Sequence, residues 1–163
     1  MDPKLQEVAA HMQEFGINSL AHAIHLINAP YPDSEFGSYK DDLAVLQAAH
    51  AAEILSKAAI AEKHPLLIFA QLPKSSQVEG DWIDVKALVE SGKTISFHDI
   101  PERLWAVTGY KIQHLDLYQQ FGKLRNSIQH FASVKNQDYL RYKTLQFIFS
   151  VIDPLINDFW NLY

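Results

Sequence analysis

Apolar residues recur at helical spacing along most of the chain. Leu5, Val8, Met12, Phe15, Leu20, Ile24 and Ile27 roughly follow the period of an amphipathic helix. Asp2 reads as its N-cap, with Pro3 at the first helical position. Asn28-Ala29-Pro30-Tyr31-Pro32 ends it, because two prolines in three residues cannot continue a helix. Gly16 and Asn18 admit a bend near its middle. A second helix opens at Ser38 or Tyr39, passes through an alanine-rich stretch to about Lys63, and stops at His64-Pro65. Residues 65–73 are apolar, but the run is too short for periodicity to separate a strand from a turn. Residues 75–80 read as loop, and 81–91 as a short helix closed by Gly92.

Asp99-Ile100-Pro101-Glu102 has the pattern of an N-cap, a first-turn proline and a capping-box glutamate, opening a helix that ends at Gly109. From Gln113 to about Ala132 the pattern is strongly amphipathic, with Leu117, Phe121, Leu124, Ile128 and Phe131 on one stripe. A last helix runs from about Gln137 and is interrupted at Pro154. Its end, Phe159-Trp160-Asn161-Leu162-Tyr163, is apolar, which suggests further chain or docking on a partner. Four or five long helices with short connections predict an all-α fold, an antiparallel bundle forming a single domain over residues 1–163.

Composition changes this picture little. At 163 residues, with 48% hydrophobic and 20% charged residues, the chain has the make-up of one globular domain. The absence of cysteine excludes disulfides, thiolate metal sites and cysteine nucleophiles. The first residues carry no basic run followed by an apolar stretch, so no signal peptide is expected. No apolar segment reaches the roughly 20 residues of a membrane helix, and the longest candidate, around residues 147–152, is far too short. The expectation is a cytoplasmic protein with no membrane contact.

Charge is more informative in its distribution than in its sum. The window from Arg103 to Lys143 carries +5, leaving −10 for the rest of a chain whose net charge is −5. Arg103, Lys111, Lys123, Arg125, Lys135, Arg141 and Lys143 supply that positive stretch, against Asp116 and Asp138. Such a stretch can hold a polyanion locally, although a scatter of solvated charges would look the same in sequence.

Within that window lies Phe121-Gly122-Lys123-Leu124-Arg125-Asn126-Ser127-Ile128-Gln129-His130-Phe131. It places an arginine, a polar residue directly after it, and a histidine five positions on. This stretch resembles the R-x4-H signature of HEPN ribonucleases. The metal-free RNA cleavage which that resemblance implies needs a proton removed from a 2′-OH, a proton delivered to the leaving 5′-oxygen, and charge stabilised on the phosphorane. Histidine suits the proton transfers, and arginine's permanently charged planar fork suits the phosphoryl group. Five residues along an ideal helix span about 7.5 Å of rise and about 140° of rotation. Arg125 and His130 therefore do not share a face, whereas Asn126 and His130 do. A compact site needs local distortion or a second copy of the helix.

A second element carries the same resemblance to HEPN ribonucleases with the R-x4-H signature. Ala51-Ala52-Glu53-Ile54-Leu55-Ser56-Lys57 is similar to the E-x3-K element that many HEPN toxins and abortive-infection proteins carry ahead of that signature. The two elements cover residues from about 43 to 132. The resemblance implies a HEPN-like helical domain acting as a homodimer, with a composite cleft between the two motifs. It also implies a cofactor-free endoribonuclease of a toxin or antiviral defence system, acting on RNA by 2′-OH attack to leave a 2′,3′-cyclic phosphate. Arg125 and His130 would be catalytic, Asn126 would shape the site, Glu53 would orient Arg125 or His130, and Lys57 would lie near the phosphate path. An antitoxin or other regulatory protein would be a further partner. One branch of the family has a tyrosine two places after the histidine and pairs with a nucleotidyltransferase antitoxin. Here that position is Ala132, which speaks against neutralisation by such a partner.

Two other readings stay open: a non-catalytic HEPN module binding RNA, a nucleotide or a protein through the same cleft, and a plain helical interaction domain. His22, His25 and the reversed His50-x-x-Glu53 pair do not form the repeated E-x-x-H of a di-iron bundle, so no metal is expected. Tyr139, Tyr142, Phe147, Phe149 and Phe159 read as core or dimer surface rather than base-stacking platforms.

Overall fold

The computed structural model describes residues 3–30, 39–74, 83–131 and 136–162. The expected cap at Asp2, the Tyr31-Pro32 stop, the start at Ser38, the loop at 75–80 and Lys135 lie outside the described residues. Within them the protein is all-α, with one two-stranded sheet.

The first helix runs as α1 (Pro3–Gln6) and α2 (Val8–Asn28), separated by a single turn residue at Glu7. There is no break at Gly16 or Asn18. Gly16 has a different use, since a Cβ there would stand 2.6 Å from Leu55 Cγ, and its absence lets α2 lie close on the next helix, α3 (Lys40–Lys63). The pair is antiparallel: Leu5 and Ala9 line a groove with Ala61, Gly16 meets Leu55, and Leu26 meets Lys40. The C-terminal carbonyls of α2 have no partners within their own helix. Lys40 Nζ supplies two bonds there, to Leu26 O and Ala29 O. Asp41 and Asp42 occupy the first turn of α3, where carboxylates complement the helix dipole.

α3 is the axle of the fold. Ala44, Val45, Ala48, Ala49, Ala51, Ala52, Leu55, Ala58, Ala59, Ile60 and Ala61 are all buried. Small side chains on nearly every side allow α2 and later helices to close around it. By length and composition α3 could cross a membrane, and it is the one such helix among the described residues. The expectation that no segment qualifies is corrected here. Weakly apolar alanines interleaved with polar residues give the helix the necessary mean hydropathy without an unbroken apolar run. In this fold 67% of its most apolar window is buried inside the protein.

A 3-10 turn (Pro65–Ile68) leads into β1 (Phe69–Gln71), which pairs antiparallel with β2 (Lys93–Thr94). Between them stands α4 (Val85–Ser91), capped by the Asp84 side chain on Ala87 N and closed at Gly92. The expected capping box at the next helix, α5 (Ile100–Thr108), does not form. Asp99 instead accepts a 2.6 Å bond from Ser96 Oγ, so its carboxylate serves the preceding turn. α5 ends, as expected, at Gly109, whose φ of 82° suits glycine.

α6 (Leu115–Phe131) buries Tyr118, Phe121, Gly122 and Ile128. The expected stripe is thus rotated: Leu117 and Leu124 are half-buried and Phe131 is 84% exposed. α7 (Gln137–Phe147) follows, capped by Asn136, and Phe121 stacks on Phe147 at 3.9 Å between centroids. Pro154 reshapes the last helix without ending it. A π turn (Ile148–Ile152), in which Asp153 N bonds Ile148 O five residues back, leads directly into α8 (Asp153–Trp160). The wider turn accommodates a residue that has no N–H and whose ring would strike the carbonyl four residues back. Of the apolar tail, Phe159 and Trp160 pack on their own chain, Phe159 beside Tyr110 and Trp160 donating to Glu62, while Leu162 is exposed.

Candidate functional site

The site forms where α3, β2 and α6 meet. On α3, Glu53 and Lys57 are one turn apart, and Lys57 Nζ lies 2.7 Å from Glu53 Oε1. Lys57 also donates to Thr94 Oγ1 at 3.1 Å. Its side chain is only 5% exposed, so the ammonium faces inward and supports Glu53 rather than an open phosphate path. The other Glu53 oxygen, Oε2, stands 3.8 Å from Arg125 Nη2. Arg125 Nη1 makes a long 3.4 Å bond to Asn126 Oδ1, and its guanidinium carbon lies 5.9 Å from the centre of the Phe97 ring. One chain of contacts therefore links Thr94, Lys57, Glu53, Arg125 and Asn126.

The rotated stripe of α6 explains how Arg125 gets there. Tyr118, Phe121, Gly122, Arg125 and Ile128 are spaced as one helical face, and that face turns toward the core. An arginine at its centre needs a carboxylate, which Glu53 supplies. Tyr118 donates to Phe97 O at 2.8 Å and stacks on the Phe97 ring. Burial, with the nearby Glu53 charge adding to it and Arg125 partly offsetting it, holds the Tyr118 phenol well above its ordinary pKa. Tyr118 is therefore a fixed neutral donor and not a proton shuttle.

His130 does not join this chain of contacts. α6 stays regular to Phe131, so the angular separation from Arg125 expected from helix geometry persists. His130 is exposed and has no hydrogen bond among the described residues. It shares a stripe with Gln119, Lys123 and Asn126, which follow one another at intervals of four, three and four. A cleft of about 260 Å³ opens beside this stripe, with Phe97 and His98 forming its far wall.

No family model matches this chain, nor does any curated protein or solved structure. The residues themselves carry the functional reading.

Among the described residues no group of three or more His, Asp or Glu side chains could hold a metal ion. His50 instead meets Phe15 edge-on at 5.3 Å. Members of the basic window also face different surroundings: Arg103 donates to Leu67 O, Lys111 lies over Trp105, and Lys143 lies near Tyr139 and Tyr142. Sequence reasoning missed Thr94, Phe97, His98 and Tyr118. The spacing of Gln119, Lys123, Asn126 and His130 was a usable signal. Nothing local marked His98.

Proposed function

We propose that this chain is a HEPN-type, metal-independent endoribonuclease that works as a homodimer in the cytoplasm, in a toxin or antiviral defence system. The observation that carries the reading is the meeting of two sequence elements 72 residues apart: Glu53 of the E-x3-K element and Arg125 of the R-x4-H element form an ion pair.

In this scheme the 2′-oxygen of the substrate attacks the adjacent phosphorus as its proton leaves. The bond to the 5′-oxygen breaks as that oxygen gains a proton, giving a 2′,3′-cyclic phosphate and a 5′-hydroxyl. Arg125, aimed by Glu53, stabilises the added charge on the phosphorane, and His130 carries one of the proton transfers. Because His130 and Arg125 diverge around one helix, each active centre combines residues of two copies of α6. Asn126 lies beside both groups and shapes the site.

A second reading, a HEPN module that binds RNA without cleaving it, is favoured by one observation: His130 stands exposed with no group orienting it among the described residues. Bulk RNA incubated in EDTA with wild type and with His130→Ala, matched in circular dichroism and mass, separates the two. Cleavage by wild type alone, leaving cyclic phosphate ends, is the expected outcome. Equal cleavage by both proteins points to a contaminant, and no cleavage by either favours the binding module.

A further inference from the structure

The cleft beside α6 is built from fixed walls. Phe97 is held by its stack on Tyr118, 4.3 Å between centroids and nearly parallel, and by the bond from Tyr118 to its own carbonyl. Gly122 lets that ring rest on the helix, since a Cβ there would stand 2.9 Å from Phe97 Cε1. Above this apolar floor the exposed groups are His98 on one side and Gln119, Lys123 and Asn126 on the other. Lys123 has no hydrogen bond or ion pair among the described residues, and no carboxylate lines the cleft. Asp99, next to His98, is turned to the Ser96 hydroxyl.

A free ammonium and an imidazole facing each other suit a phosphodiester, and two carboxamides can both donate to and accept from a base edge or a ribose hydroxyl. Stacking is not the means of recognition, because Tyr118 covers one face of Phe97 and the Arg125 guanidinium lies over the same ring. Position decides what the ligand belongs to. Asn126 ends the cleft, and His130 follows one turn later on the same stripe, roughly 6 Å along the axis.

We infer that this cleft is a subsite for the nucleotide of single-stranded RNA that flanks the cleaved bond, with Lys123 and His98 on its phosphate and Asn126 and Gln119 on its base or sugar. The inference rests on the ribonuclease reading above. It adds a contact residue, His98, and a path for the strand along α6 that the R-x4-H element does not contain.

The test measures fluorescence anisotropy of a labelled single-stranded RNA about a dozen nucleotides long, titrated with the full chain carrying His130→Ala to prevent cleavage. Lys123→Gln and His98→Gln are added separately, with Lys111→Gln as a control of equal charge outside the cleft. Lys123→Gln should weaken binding about tenfold, the scale of one lost charge-assisted bond, and lower the salt slope by about 0.7. His98→Gln should weaken it by a smaller factor, and Lys111→Gln should leave it unchanged. Equal effects of Lys123→Gln and Lys111→Gln would reduce the cleft to general charge attraction and overturn the proposal. So would unchanged affinity in both cleft variants. Wild-type cleavage, scored in parallel, keeps the two readings apart. Cleavage with the same KM in the cleft variants sinks the subsite alone. Binding through Lys123 without any cleavage sinks the nuclease, and with it the place of the subsite beside a cleaved bond, leaving the cleft as an RNA-binding site only.

Discussion

Lys57→Met tests whether the ion pair behind Arg125 is structural or ornamental. The lysine side chain is 5% exposed and its partner Glu53 is 18% exposed. An exposed pair would contribute about 0.2–1 kcal/mol, whereas removing one partner of a buried pair costs about 3–5 kcal/mol because the other charge is stranded. Glu53 retains some solvent and the Arg125 guanidinium at 3.8 Å, which points to the lower end, about 3 kcal/mol. Methionine matches the lysine stem, so the cavity contribution is small. Exposed Thr94 recovers its bond from water. At this chain length the loss corresponds to a melting temperature lower by about 6–12 °C, or a urea midpoint lower by about 1–2 M. The double variant Glu53→Gln/Lys57→Met should be more stable than the sum of the single changes implies, by about 2 kcal/mol. A Lys57→Met cost below about 1 kcal/mol, or an additive cycle, would refute the claim that Glu53 is held by a buried cation.

Gly16→Ala should destabilise by about 1–2 kcal/mol in urea denaturation, overpacking against Leu55 outweighing the gain in helix propensity. In a Leu55→Ala background the same change should turn neutral or stabilising, and a constant effect in both backgrounds would remove the close-approach argument. In alkali, Tyr110 is pushed up to about 12, first by burial and then by the Asp158 charge, and Tyr118 is raised by burial and Glu53. Both are raised above their unfolded values, so their contribution is complete below about pH 10 and declines as pH rises toward 12. Absorbance titration should show a late phase, diminished in Tyr110→Phe and in Tyr118→Phe, that appears only toward about 12 or on unfolding, and a single common transition near 10 would contradict this.

Long elements were legible where their signals repeat: α2 and α6 carry several turns of periodic apolar residues, α3 is a long alanine-rich run, and Pro30 and Pro65 mark where α2 and α3 stop. β2 was not legible, since two residues contain no period, yet it brings Thr94 to Lys57. The rotation of α6 escaped for a related reason. Leu117 and Leu124 look more apolar than Tyr118 and Arg125, but Gly122 admits the Phe97 ring and Glu53 receives the arginine. Both partners come from distant segments, so tertiary contacts outweighed local hydrophobicity. Glu53, Lys57, Arg125 and Asn126 drew attention through the resemblance of their two stretches to the E-x3-K and R-x4-H elements, and the fold brings the four side chains next to one another. His98 precedes α5 without any periodic signal, and only its position across the cleft from Lys123 draws attention to it.

The central position of α3 has a consequence during synthesis. When Lys63 has left the ribosome, α2 can already cover one side of α3, but α5 through α8 have yet to be made. Until those helices emerge, a helix long and apolar enough to span a bilayer stands half uncovered. Its alanines limit the stickiness of that exposed face, because each offers little area to a chaperone, a lipid or another nascent chain. Exchanging several of them for leucine would therefore endanger the growing chain as well as the packing of the finished protein.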